Sequence, residues 1–166
     1  MKIPMPAWLA DGLIERAQRT PYFHLYHADG SLYMARYWLR RHAAGSSAWA
    51  ARVHYLATPD EDRHLHDHPW DFVSIVLRGG YKEIRPLGVE PGFDGDEERT
   101  YLVDRRPGSV AVRLSTDRHR IVSVLPDTWT LFITGPKRQW WGFYTEFGKV
   151  HWRDYESVHN KMERAA

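Results

Sequence analysis

The chain has 166 residues, a formal net charge of +2 and no cysteine. That length suits one domain around a single core, and the interspersed charges leave no field strong enough to argue for nucleic acid or membrane as a partner. Without cysteine there are no disulfides, thiolate ligands or cysteine nucleophiles, so any metal must be held by His, Asp or Glu.

The amino-terminal stretch MKIPMPAWLADGL lacks the apolar core of a signal peptide, and no apolar run approaches the ~20 residues that span a bilayer, so a soluble cytoplasmic protein is expected. Eight tryptophans and nine tyrosines, many in alternating contexts, favour β structure over a helical bundle. Residues 6–18 are predicted as a helix, with Pro6 near its start and Trp8, Leu9, Leu13 and Ile14 making an apolar face that covers a sheet. Two aromatic, alternating runs flank the turn signal Ala28-Asp29-Gly30-Ser31, which is hairpin chemistry. A small-residue connection at Ala43 to Ser47 leads to a strand over Trp49 to Leu56 that carries His54.

The polar segment ATPDEDR delivers the chain to RHLHDHPWDFVSIVLRGGYKE. Asp71 to Leu77 reads as a strand, Gly79-Gly80 as its turn and Tyr81 to Arg85 as the return. PLGVEPGFDGDEE follows as a long, acidic, mobile loop. Strands at Thr100–Val103, Ser109–Leu114, Trp129–Thr134 and Trp140–Tyr144 come next, and a short polar helix closes the chain over 152–163. About nine or ten short strands with helices only at the ends select an all-β sandwich or barrel with its core over about 22–146. The dibasic pairs Arg40-Arg41, Arg105-Arg106 and Lys137-Arg138 read as solvated turns.

His64, His66 and His68 stand at every second position, a period that places alternate side chains on one face of an extended chain. His66, His68, Asp71 and the distant His119 form the candidate metal set. A His-x-His pair joined by a histidine from elsewhere leaves one side of a metal open, which catalysis requires. Zinc, iron, manganese and nickel all accept imidazole nitrogen. Tyr81 and Glu83 share a face of the returning strand. If that face is inward, Glu83 orients a ligand histidine or acts as acid/base, with Tyr81 and His54 as further catalytic candidates. Arg113 interrupts an apolar strand and is the candidate for binding a carboxylate or phosphate substrate. Asp71 alternatively caps the loop before its strand.

HDHPWDFVSIVLRGG and PGSVAVRLSTDRHRI together resemble the two motifs of the cupin superfamily, small jelly-roll β-barrels. The first motif is His-x-His followed by a glutamate and a glycine; the second is a Pro-Gly turn, a strand and a histidine. The match carries over His66, His68 and Gly79, then Pro107, Gly108 and His119. With His66 and His68 as the pair, Phe72 occupies the glutamate position and Asp71 precedes it. With His64 and His66 as the pair, Asp71 takes that position, but the spacing to Gly79 is one residue too long. The first register is preferred; it implies a three-His site similar to the thiol dioxygenase branch, with Asp71 as a fourth ligand or supporting carboxylate. DEDRHLHDHPWDF, GGYKE, TLFITGPKRQWWGF and HWRDY also resemble a group of bacterial and phage-associated cupin-like proteins.

The resemblance implies a single-domain cupin-type jelly roll holding a divalent metal, Fe(II) first, and a dioxygenase-like oxidoreductase acting on a small organic substrate. The competing expectations are a non-catalytic metabolite-binding module and a metal-dependent isomerase or epimerase. By analogy with small cupins, a homodimer paired through edge strands is expected.

Overall fold

The computed structural model describes residues 1–27, 29–41, 49–92 and 95–155. Helix α1 (Ala7–Gln18) precedes strands β1 (Leu25–Tyr26), β2 (Leu32–Arg40), β3 (Ala50–Leu56), β4 (Leu65–His66), β5 (Trp70–Arg78) and β6 (Tyr81–Gly92). Strands β7 (Gly95–Arg105), β8 (Val110–Arg113), β9 (Arg120–Val124), β10 (Thr128–Lys137), β11 (Gly142–Thr145) and β12 (Gly148–His151) follow.

One antiparallel sheet runs β1-β2-β3-β10-β5-β8. Two three-stranded sheets, β12-β11-β4 and β7-β6-β9, meet at a bridge between His66 and His119. The main chains of these two residues exchange N–H···O bonds of 3.0 Å in both directions. The bridge makes the smaller sheets into a second six-stranded layer facing the first, so the expected all-β jelly roll takes the form of a two-sheet sandwich.

The period of two sorts side chains onto the two faces of the first sheet. Arg52, His54 and Leu56 on β3, Phe72 and Ser74 on β5, and Thr130 and Phe132 on β10 face a cavity between the layers. Val53, Leu77 and Trp129 face the other way and meet Ala10, Ile14 and Ala17 of α1 in the larger apolar cluster. The helix therefore covers a sheet as expected, with Ile14 buried and Leu13 packed beside it from the predicted face and Ala10 and Ala17 added to it; Trp8, placed on the buried face from sequence, is 75% exposed. A second cluster, Leu56, Val76 and Tyr81 with Ile121 and Val124, joins the two layers.

Where the sequence suggested a mobile acidic loop, the structure has a long hairpin. β6 and β7 pair from Tyr81–Arg105 out to Gly92–Gly95, and a register shift between Pro86 and Gly88 absorbs the proline and glycine that argued against a strand. Glu90 and Arg99 add an ion pair at 2.6 Å on this arm. β12 was not expected; it pairs with β11 and extends the second layer. Of the predicted carboxy-terminal helix only 152–155 falls within the described residues, where the chain is helical. Ala28 and the connection at 43–47 lie outside them.

The motif glycine Gly79 has a structural reason. It turns β5 into β6 at φ 69°, and a Cβ there would stand 2.5 Å from Thr128 Oγ1 and 2.7 Å from Thr128 Cα. Gly79→Ala is therefore expected to cost about 2–3 kcal/mol, and Gly12→Ala, at an exposed helical position with nothing within 4 Å, to gain about 0.5–1 kcal/mol. Thermal unfolding of the two variants checks the opposite signs.

Candidate metal centre

His66 ends the two-residue strand β4, His68 lies two residues on, and His119 immediately precedes β9. Each offers one ring nitrogen, and the three atoms lie within 4.8 Å of one another. Their convergence depends on Asp67, which is 0% exposed and points away from the two histidines that flank it. Its Oδ1 accepts from the main-chain N–H of Gly142 at 2.9 Å. Its Oδ2 accepts from Gln139 Nε2 at 2.9 Å and the Tyr144 hydroxyl at 3.0 Å, and pairs with Lys149 Nζ at 2.5 Å. Anchoring that carboxylate in the second layer turns His66 and His68 inward together. His119 is set by its bridge to His66 and by the loop before it, where Asp117 Oδ2 accepts from the main-chain N–H of Leu114 at 3.0 Å.

A buried carboxylate stands behind His119. Glu83, 1% exposed, accepts the Nδ1–H of His119 on Oε2 at 2.8 Å. Its Oε1 accepts from Arg105 Nε at 2.8 Å and from an Nη2–H of Arg113 at 2.7 Å. Burial alone would raise the Glu83 pKa, but the His119 hydrogen bond and the charges of His119, Arg113 and Arg105 outweigh it and bring the value down to about 2. Asp60 stands behind His66, with Oδ2 3.9 Å from Nδ1, and that ring nitrogen is buried without a hydrogen-bond partner. Asp60 is itself held by the main-chain N–H of Ile121 at 2.7 Å and by the Tyr33 hydroxyl. Carboxylates behind ligand imidazoles fix tautomer and ring orientation and raise donor strength.

The donor set fits a divalent metal. Ligation needs neutral imidazole. Burial lowers the His66 pKa to about 4 and takes that of His68 well below its ordinary value. With His119 Nδ1 turned to Glu83, its Nε2 is the ring nitrogen that faces His68 Nε2, 2.9 Å away. Two nitrogens at about 2.1 Å from one ion and at right angles to each other stand about 3.0 Å apart.

The remaining predicted residues separate. Asp71 faces away from Phe72 and the cavity: Oδ1 accepts from the main-chain N–H of Ser115 at 2.8 Å and Oδ2 lies 3.3 Å from Arg138 Nε. The strand period thus turns it out of the metal group, and instead of capping the loop before its own strand it holds the main chain of the loop at Ser115. His64 also lies outside the group; its Nδ1 is 2.8 Å from the Tyr155 hydroxyl. Arg113 is inward, but its Nη2 pairs with Glu83, so its charge is already met and it is not a free substrate clamp. Tyr81 and Glu83 do share the inward face. Burial, followed by the charge of Glu83, pushes the Tyr81 phenol up to about 12. His54 lies across the cavity, stacked on Phe132 with ring centroids 4.8 Å apart, and burial holds it neutral.

Sequence reasoning missed Asp60, Asp67, Gln139 and Arg105. Asp67 sits between two expected ligands, and the alternation that points them inward must point it outward, so that signal was present. Arg105 was read as a solvated turn, yet the β6–β7 register opposite Tyr81 turns it onto Glu83.

The three histidines open on a cavity of about 290 Å³, walled by Phe72, Phe132, Phe143 and Trp141 among others. That is the low end for small-molecule sites. No protein-family model matches the chain, and no curated protein matches it significantly in sequence. Solved structures do resemble it. The polyketide cyclase RemF from Streptomyces resistomycificus superposes with a TM-score of 0.50 at 17% identity, over 76% of this chain and 79% of that one. The DMSP lyase DddQ from Ruegeria pomeroyi gives 0.49 at 18% identity, over 81% of this chain and 66% of that one. KdgF from a Halomonas species gives 0.41 at 20% identity, over 64% and 82%. At 17% identity what is shared with RemF is the fold. Among the described residues no helix is long and apolar enough to cross a membrane.

Two outcomes follow from the carboxylate behind His119 and the buried rings. Glu83→Gln removes the anion from between two guanidinium groups and weakens its hold on His119, so metal affinity should fall about 10–100-fold, measured by competition with a chromogenic chelator. Acidification should destabilise the metal-free protein. The unfolded chain takes up a proton on His66 near its ordinary value of 6.5, whereas the folded protein waits until about 4. Between those values the unfolded state binds more protons, so stability falls with pH. Glu83, held at about 2 against an ordinary 4.5, extends the loss below pH 4.5. Melting temperatures at pH 7.5 and 5 test the first window, where equal values would contradict a buried neutral imidazole.

Proposed function

We propose that this chain, which has the fold of the cupin superfamily, is a metal-dependent enzyme acting on a small organic substrate. His66, His68 and His119 would hold a divalent metal, which we take to be Fe(II), with the chemistry of a dioxygenase-like oxidoreductase. The observation that carries this reading is the convergence of three imidazoles, two of them held neutral by burial, on one point of an apolar cavity. When bound, Fe(II) supplies positions at which a substrate and dioxygen meet.

The chain's own residues prepare that point. Glu83 keeps the proton of His119 on Nδ1 and so leaves Nε2 as donor. Asp67 holds the His-x-His segment in place from behind. Phe72, Phe132 and Trp141 exclude water, which strengthens each polar contact that remains. The isomerase alternative needs a poised acid/base pair near neutrality. Glu83 at about 2, Tyr81 at about 12 and His54, which burial takes well below its ordinary value, are poor candidates for that pair, and dioxygen chemistry at the metal needs no such pair.

Elemental analysis tests the ligand set: the purified protein should carry about one metal per chain, and His66→Ala or His119→Ala should carry none. Unchanged metal content in either variant would remove the assignment. Oxygen consumption by Fe(II)-reconstituted protein over a panel of small organic substrates tests the reaction class. Turnover of any of them without oxygen uptake would favour the isomerase.

A further inference from the structure

The end of the cavity away from the histidines is cationic, and nothing in the proposed metal chemistry uses it. Arg52 on β3 is 7% exposed, lines the cavity, and has an Nε–H that is buried without a partner. Its guanidinium carbon lies 4.9 Å from the Trp38 ring centroid and 5.1 Å from that of Trp70, so indoles cover it while its Nε–H is left without an acceptor. Among the described residues no carboxylate lies within 4.0 Å of it and no hydrogen bond is made to it. Arg36, in the next strand and opposite His54, also lines the cavity; its Nε–H donates to Phe23 O at 2.7 Å, and no carboxylate lies within 4.0 Å of it either.

Two further N–H groups of this region are buried and unpaired: Trp70 Nε1, and Nε2 of His54 where that nitrogen carries the ring proton. Of the acids that line the cavity, Glu83 is engaged by Arg105, Arg113 and His119 and Asp60 by Ile121 and Tyr33, and Asp62 is engaged too. A buried cation with no counter-charge is costly unless an anion completes it. A planar guanidinium with covered faces and an open edge matches a carboxylate.

We infer that the cavity takes a small organic acid, its carboxylate seated on Arg52 with Arg36 and His54 beside it and the rest of the molecule reaching past Phe132 toward His66, His68 and His119. The role assigned to Arg113 from sequence thus passes to Arg52, because the charge of Arg113 is already paired with that of Glu83, whereas Arg52 has no carboxylate within 4.0 Å among the described residues. Arg52 and His54 alternate along β3 on the face that carries the cavity wall, and His54 and His68 pack on Phe132, with ring centroids 4.8 and 6.2 Å from it. The orientation of the acid rests on the metal reading; the anion seat does not.

Calorimetric titration with benzoate and with its neutral counterpart benzamide tests the seat, in metal-loaded and in chelator-treated protein. Benzoate is expected to bind about tenfold or more tightly than benzamide. Arg52→Gln should erase that preference. Should this variant fail to fold, Arg52→Lys keeps the charge but loses the planar fork, and benzoate affinity should fall about fivefold or more. No binding of benzoate, equal binding of benzamide, or a preference that survives in a folded Arg52 variant overturns the inference. Inorganic phosphate displacing benzoate at equal concentration would overturn the carboxylate assignment. An Arg52-dependent preference in a protein that never holds metal would overturn the metal reading alone and leave the anion seat standing.

Discussion

One buried carboxylate, that of Glu83, sets conditions the rest of the site must satisfy. A charge with 1% exposure survives only when its lone pairs are met, and here two arginines and one histidine meet them. Each comes from a different part of the chain: Arg105 from β7, Arg113 from β8, and His119 from the start of β9. Satisfying Glu83 therefore draws three strands of the two layers to one point, and the imidazole among its partners is the one that must present its far nitrogen to the other histidines. The cost of burying the acid and the orientation of a candidate metal ligand are met by the same hydrogen bonds.

The rest follows from what the period of two does on each strand. Around His66 and His68 it sends two rings inward and Asp67 outward, where the second layer can hold it. On the first sheet it divides apolar packing from the cavity wall. The larger apolar cluster is then made outside the sandwich, under α1, and the space between the layers is free to carry polar groups. An interior lined by His54, Arg52, Glu83 and Arg113 is affordable because much of the packing lies elsewhere.

The cavity is electrostatically lopsided. Near the histidines, Glu83 is paired with two arginines; on β2 and β3, Arg36 and Arg52 have no carboxylate within 4.0 Å among the described residues. Rings occupy the space between, with Phe132 touching both His54 and His68. Such a gradient orients an asymmetric ligand before any chemistry begins.

Composition and alternation alone determined the all-β class, the helix laid on a sheet, and the histidines worth weighing, because hydrophobic period and turn residues are local properties. The choice between His64 and His68 as partner to His66 was already favoured by motif spacing. The hairpin of β6 and β7 was not legible, since Pro86, Gly88 and a run of acids read locally as a loop and only cross-strand pairing with a register shift makes them strands. Nor could Asp71 be told from a ligand, or Arg113 from a substrate clamp, because each depends on which partner the fold brings opposite: Ser115 and Arg138 for the first, Glu83 for the second. Asp60 lay in a polar turn until pairing with Ile121 placed it behind His66. Sequence determines which groups are available and which way they alternate; tertiary structure decides which of them are already spent on one another, because that depends on contacts between residues far apart in the chain.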